Sequence, residues 1–334
     1  MSEKTIAQQV NIEASKKNIP LSVFIELTRS CNLNCYYCYQ KQYPQTKELP
    51  LSKWKKILKE LADSGSLYVT FSGGEPFLRD DLHDIVTCAR GLDFAVSIIT
   101  NGFLLDEAWV QRLAQLNIMD VGISFHAANA NLHDTLAGVP GSFNLALFAA
   151  RMLVSVGLKV LIKHSVSKAN FGEYKRLQTM AENEGCAFEC DSTILPDVIN
   201  RVSRFSLSRE QHQAFLEDME MGPAPSCLQK TDNSILHCDA GRSLCGISSD
   251  GEVYPCIILP ITLGNLTTSS FNDVWNGEAV RQFRTQEEEL SETCNECPIN
   301  TACSRCHAVA YLETGQWNGK STSLCDRAEA MSLI

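Results

Sequence analysis

Three thiols stand close together in Cys31-Asn32-Leu33-Asn34-Cys35-Tyr36-Tyr37-Cys38, a C-x3-C-x2-C spacing directly after the apolar segment Leu21 to Leu27. Thiolate is the usual ligand of iron–sulfur clusters, and a four-iron cube normally takes four of them. Without an adjacent fourth Cys, three thiolates leave one iron open, and an open iron can bind a substrate or cofactor as well as hold an electron. Zinc and chance spacing are the competing readings. Zinc sites favour paired C-x2-C units and four closed ligands, which this triplet does not match. A second chemical element is Ser72-Gly73-Gly74-Glu75-Pro76. Its glycines let a ligand approach the backbone closely, and Glu75 offers a carboxylate to an ammonium group. Taken alone, the segment is an ordinary glycine turn.

Composition bounds what these residues can belong to. The chain has 334 residues, 44% of them hydrophobic, which is enough for two domains and a sizeable core. No apolar run approaches the roughly 18 residues of a membrane span. Met1 to Lys17 is polar and charged, so no secretory signal is expected. Fifteen cysteines without such a signal predict a reducing, cytoplasmic location and metal binding rather than disulfides. The net charge of −10 excludes the basic footprint of a nucleic-acid binder, and neither nucleic acid nor membrane is expected as a partner.

The positioning elements follow from periodicity. Strands are expected at Ser22–Leu27, Tyr68–Phe71, Ala95–Ile99, Asp120–Phe125, Lys159–Val166 and Phe188–Ile194. Amphipathic helices are expected at Ser52–Ser64, Asp80–Arg90, Asp106–Gln115, Ser142–Val156 and Phe171–Gly185. Ser52, Asp80, Asp106 and Ser142 stand where N-caps belong; Gly65, Gly91, Gly157 and Gly185 stand where helices stop. Six strands alternating with helices predict a parallel α/β sheet, a partial (β/α)6 TIM-like barrel rather than the eight units of a closed one. Its functional residues should lie at strand C-terminal ends, where the Cys triplet falls. The expected organisation is an N-terminal segment (1–20), the barrel (21–200), a helical linker (201–226, with a helix at Ser208–Met221 and a Gly-Pro-Ala-Pro turn), and a small, irregular, metal-organised C-terminal domain (227–334). Nine of the cysteines lie between Cys227 and Cys325.

The triplet with Tyr37 before its last Cys, together with Gly73-Gly74-Glu75-Pro76, closely resembles the radical S-adenosylmethionine (SAM) superfamily. The resemblance implies a [4Fe–4S] cluster on Cys31, Cys35 and Cys38 whose open iron chelates SAM. It implies that Gly73, Gly74 and Glu75 contact the methionine amino group and that Tyr37 lies beside the adenine. Thr100, Asn101 and Ser124 resemble further SAM-contacting positions. His126, in Ser124-Phe125-His126-Ala127, stands where many relatives carry Asp and is the candidate for a catalytic residue; a lone His is more often structural or solvated.

The C-terminal part resembles the SPASM extension of peptide-modifying radical SAM enzymes. The match runs through Cys238-Asp239-Ala240-Gly241-Arg242, Cys245, Ser249 to Cys256, Gly264-Asn265-Leu266, Phe271 to Trp275, Cys294-x2-Cys297-x5-Cys303-x2-Cys306 and Cys325. It implies two auxiliary clusters, one held by Cys238, Cys245, Cys256 and Cys306 and the other by Cys294, Cys297, Cys303 and Cys325. The spacing before Cys306 is x2 where the family has x3, which leaves Cys227 as a substitute ligand. A pair of zinc sites is the competing reading of this set. Cys88, Cys186 and Cys190 are expected in the core.

With SAM and three [4Fe–4S] clusters, the implied reaction is reductive cleavage of SAM and oxidative modification of a peptide by a thioether or carbon–carbon crosslink. Electrons would come from a flavodoxin or ferredoxin. Radical oxidation or rearrangement of a small molecule is the alternative. Sulfatase-maturase-like dehydrogenation is disfavoured because Ile257, not Asp, follows Cys256. A non-enzymatic iron–sulfur electron carrier is the outside reading. About twenty residues precede the first strand, too few for a leader-binding domain, so leader recognition is expected from a separate protein or from the barrel itself.

Overall fold

The first strand, β1 (Ser22–Thr28), buries Val23, Ile25 and Leu27. After it come β2 (Tyr68–Gly73), β3 (Ala95–Thr100), β4 (Asp120–Ser124), β5 (Val160–Ser165) and β6 (Ala187–Asp191). Each pairs in parallel with the strand before it. The structure is a computed structural model that describes residues 5–196, 199, 201, 204–219, 238–287, 294, 296–300, 303 and 305–333. The helices of this half are α1 (Ile6–Lys16), α2 (Leu51–Asp63), α3 (Leu82–Gly91), α4 (Glu107–Leu116), α5 (Ala130–Ala137), α6 (Ser142–Ser155) and α7 (Glu173–Asn183). Trp54, Ile57, Leu58 and Leu61 of α2 recur at helical spacing and are buried, as are Phe143, Ala146, Ala150 and Leu153 of α6. Burying each large side chain of this kind stabilises the fold by about 1.5–3 kcal/mol. The result is an open six-unit partial barrel.

Capping departs from the sequence expectation at three of four helices. Asp106 caps α4 as expected, accepting from the Trp109 N–H at 2.8 Å. Ser52 and Ser142 instead lie inside α2 and α6, which are preceded by Pro50 and by the left-handed Gly141; Asp81 rather than Asp80 precedes α3. Pro50 needs no donor at a helix start. At α6 the cap is supplied from a distance. Asp134 of α5 accepts from the Gly141 and Phe143 N–H groups and the Ser142 hydroxyl at 2.6–2.9 Å. Gly65, Gly157 and Gly185 follow their helices with positive φ, whereas Gly91 ends inside α3 and Asp93 takes the left-handed conformation.

The C-terminal half is more regular than the sequence suggests. After α8 (Arg209–Asp218), which Ser208 and Gln211 start with a capping box, come three short strands, β7 (Leu244–Ile247), β8 (Glu252–Tyr254) and β9 (Gly264–Asn265). β7 pairs in parallel with β1, and β8 and β9 add antiparallel. One nine-stranded sheet therefore runs β6-β5-β4-β3-β2-β1-β7-β8-β9. Strands of two to four residues leave too little alternation to detect. Among the described residues, four helices complete this half: α9 (Phe271–Trp275), α10 (Glu278–Glu287), α11 (His307–Thr314) and α12 (Thr322–Met331). Gly222 to Pro225 and Cys227 lie outside the described residues. Among the described residues no single helix is long and apolar enough to cross a membrane.

Candidate active site

β1 ends at Thr28, and the loop carrying Cys31, Cys35 and Cys38 begins three residues later. Backbone bonds from Asn34 N to Ala137 O (2.9 Å) and Tyr36 N to Leu136 O (2.8 Å) fasten this loop to the end of α5. The Cys31 Sγ accepts from Leu33 N at 3.4 Å and from Asn101 Nδ2 at 3.8 Å, so donors already face the sulfur. Burial pushes the Cys35 thiol up to about 12, with the Cys38 and Cys31 thiolates adding to the rise. Cys31 is raised by burial first, then by Glu75 and Cys38. Thiols that oppose one another's ionisation in this way lie within electrostatic reach of each other, and a bound metal centre would relieve the repulsion. The donor set fits an iron–sulfur cluster.

The glycine segment lies against this loop. A Cβ on Gly73 would sit 2.2 Å from Thr28 O, and one on Gly74 would sit 2.2 Å from Ser30 O. Gly74 N and Glu75 N donate to those same two carbonyls at 2.8 and 2.9 Å. The sequence predicts room for a ligand at the two glycines; at their Cα positions the structure fills that room with the chain's own backbone. Glu75 is fully buried and joins two strand ends. Its Oε1 accepts from Phe77 N (3.1 Å) and the Thr100 hydroxyl (2.8 Å), and its Oε2 accepts from Asn101 N (2.8 Å). Burial nevertheless raises its carboxyl to about 7 against these three donors. The Asn101 side chain also donates to Asn32 Oδ1 at 2.8 Å. Thr100, Asn101 and Glu75 thus form one bonded unit with the Cys31 loop.

Tyr37 and His126 meet across the open end of the sheet, with the Tyr37 hydroxyl 2.8 Å from His126 Nδ1 and the rings edge to face. Ser124 sits half-buried at the end of β4, two residues before His126. Burial first, then the nearby His133 and His164, lower the His126 imidazole to about 3, so it is neutral at physiological pH. Asn170 completes the group: its Nδ2 donates to His126 O (2.9 Å) and Ser165 O (3.0 Å) and lies 3.4 Å from the Tyr37 hydroxyl. Sequence reasoning missed Asn170, His133 and His164. Asn170 was within its reach, because it follows the C-terminal end of β5, where functional residues of such sheets gather.

In the C-terminal half Cys245 and Cys256 lie near each other, and four further cysteines share a cavity. Cys245, on β7, is fully buried, and burial followed by the Cys256 thiolate raises its thiol well above the ordinary value. The turn after Cys238 is tied to the same place, since Gly241 N donates to both Leu244 O and Pro255 O at 2.9 Å. Cys306 opens α11 and, like Cys256, packs against the main core. Cys294, Cys297, Cys303 and Cys325 line a single cavity of about 490 Å³. Among the described residues no group of three or more Cys, His, Asp or Glu is disposed to hold a metal ion. Four thiols lining one cavity are the donor set that a four-iron cube takes. Cys186 is buried, and Cys88 and Cys190 pack against apolar clusters, as expected of core thiols.

Two family models match the chain: the radical SAM superfamily over residues 25–167 and the SPASM iron–sulfur cluster-binding domain over residues 238–298. An AdoMet-dependent heme synthase from Methanosarcina barkeri is 28% identical, covering 90% of this chain and 95% of the relative. The antilisterial bacteriocin subtilosin biosynthesis protein AlbA from Bacillus subtilis is 27% identical over 94% of this chain and 72% of its own. Among solved structures, Streptococcus suis SuiB bound to S-adenosylmethionine superposes with a TM-score of 0.72 at 19% identity, covering 95% of this chain and 81% of SuiB. At that identity the likeness concerns the fold.

Proposed function

We propose, from the premise that this chain is a radical SAM enzyme with a C-terminal SPASM domain, that it oxidatively modifies a peptide by forming a thioether or carbon–carbon crosslink. Cys31, Cys35 and Cys38 would hold the SAM-binding cluster. Cys238, Cys245, Cys256 and Cys306 would hold one auxiliary cluster, and Cys294, Cys297, Cys303 and Cys325 the other. When bound, reduced cluster and SAM together supply a 5′-deoxyadenosyl radical able to remove a hydrogen atom from an unactivated C–H bond. The chain's own residues bind and orient. Glu75 anchors β2 to β3 and its buried carboxylate would attract the SAM ammonium, Asn101 donates to the Cys31 sulfur, and Tyr37 would lie beside the adenine. Ser124 and His126 line the same end of the sheet, with His126 held neutral as a hydrogen-bond partner rather than a cation.

The observation that carries the oxidative reading is the cavity shared by Cys294, Cys297, Cys303 and Cys325. A second thiolate-bound centre gives the electron left on a substrate radical somewhere to go. AlbA, named for bacteriocin biosynthesis, supports the peptide reading, as do relatives named PqqA peptide cyclase, one of them 27% identical over 87% of this chain. The heme synthase relatives favour a second reading, oxidation of a small molecule. Reductant would come from a flavodoxin or ferredoxin in the cytoplasm, and leader recognition from a separate protein or the barrel itself.

The test is anaerobic reconstitution, reduction in the presence of SAM, and mass spectrometry of a short peptide encoded beside this gene. Release of 5′-deoxyadenosine with loss of two hydrogens per crosslink supports the peptide reading. Turnover of a heme precursor with an inert peptide would replace it with the second reading.

A further inference from the structure

Arg305 is buried, 7% exposed, in the wall of the four-cysteine cavity. Its Nη2 donates to Trp317 O at 2.7 Å and Gly319 O at 2.8 Å, which fixes the plane of the guanidinium. Nη1 points at the Cys294 sulfur, 3.5 Å away. Nε is buried without a hydrogen-bond partner. Among the described residues no carboxylate pairs with this cation. Glu296 also lines the cavity but is exposed, and Lys320 adds a second, exposed positive charge. Removing a guanidinium from water without an anion is strongly unfavourable. Two carbonyl dipoles and a thiol offset only part of that cost. An anion occupying the cavity would supply the partner that Nη1 and Nε face.

A cluster ligated by four thiolates is such an anion, and hydrogen bonds and charges around its sulfurs set its reduction potential. We propose that Arg305 is the electrostatic partner of the cluster held by Cys294, Cys297, Cys303 and Cys325, and that its fixed positive charge raises that cluster's reduction potential. One-electron reduction makes the cluster more negative by one charge, and a cation held within hydrogen-bond reach of its sulfurs favours the reduced form. The centre is thereby made a better acceptor for an electron leaving a substrate radical. This rests on the proposed ligand set.

The experiment is an EPR-monitored redox titration of the two C-terminal clusters, with Cys31, Cys35 and Cys38 changed to Ala to remove the third. At a fixed potential, Arg305→Gln should lower the reduced-to-oxidised ratio of one couple by about tenfold, which is about 59 mV for one electron. Arg305→Lys keeps the charge and should recover most of the ratio. Unchanged potentials in Arg305→Gln would overturn the proposal, as would Arg305→Lys behaving like Arg305→Gln. Loss of that cluster's iron in both variants would overturn it in favour of a role confined to holding the Trp317–Gly319 turn. A parent protein with roughly four rather than eight iron atoms in these two sites would instead reject the ligand set beneath it.

Discussion

At the scale of single residues, Glu75 has the most to reveal through pH. Its carboxyl is raised to about 7 by burial, so the ionised form that attracts an ammonium is mostly present at pH 8 and mostly absent at pH 6. Across that interval the Glu75 contribution to SAM affinity should fall about tenfold. The dependence shows as the difference between wild type and Glu75→Gln in equilibrium binding, and a constant ratio between the two would mean that the Glu75 charge does not act on SAM. Buried histidines act on stability in the opposite sense. His126 is lowered to about 3, and His133, His164 and His212 to about 4, each by burial first. An unfolded chain takes up these protons below its ordinary pKa of about 6.5 while the native chain does not. Their contribution to stability is therefore full above pH 6.5 and is lost as pH falls toward 4, by about 1.4 kcal/mol per pH unit for each net proton. Glu75 offsets one of them between pH 7 and 4.5. Urea midpoints should drop on acidification from about pH 6.5 to about pH 5, and His126→Phe should flatten part of that slope.

At the scale of elements, the union of two loops at the end of β1 and β2 is the feature to perturb. Gly74→Ala must displace either its own Cβ or the Ser30 carbonyl 2.2 Å away, and Ser30 adjoins Cys31. The variant should lose iron from the N-terminal triplet, roughly four atoms, and with it 5′-deoxyadenosine formation, while iron in the C-terminal clusters stays. Full iron and normal SAM cleavage would show that the Cys31 loop does not depend on this contact. The triplet, Gly73-Gly74-Glu75 and the six parallel strands were legible in the sequence, because thiol spacing and apolar periodicity are local. What joins the elements was not. Asp134 caps a helix other than its own, and α5 itself, eight residues long, offered too few turns to stand out. β7 belongs to the sheet only through its pairing with β1, and four residues carry no period that announces it.

At the scale of the whole molecule, the C-terminal half is part of the sheet that bears the Cys31 loop. A chain ending before Cys238 would uncover the edge of β1 along Ser22 to Ile25, and bare strand edges promote aggregation. Such a truncation should fall sharply in soluble yield, whereas changing Cys306 or Cys325 to Ala in the full chain should lose iron and product formation first. A truncated protein that stays soluble and cleaves SAM normally would contradict this dependence. The same pairing has a consequence in time. During synthesis β1 emerges early, while its second neighbour β7 is made some two hundred residues later. Contacts so distant in sequence form slowly, because the loop between them must close first. Throughout that interval one side of β1 has no native partner, and the cysteines beside it are already on the growing chain. The order in which this protein acquires iron and completes its sheet is therefore a problem of timing, and the slow step belongs to its last third.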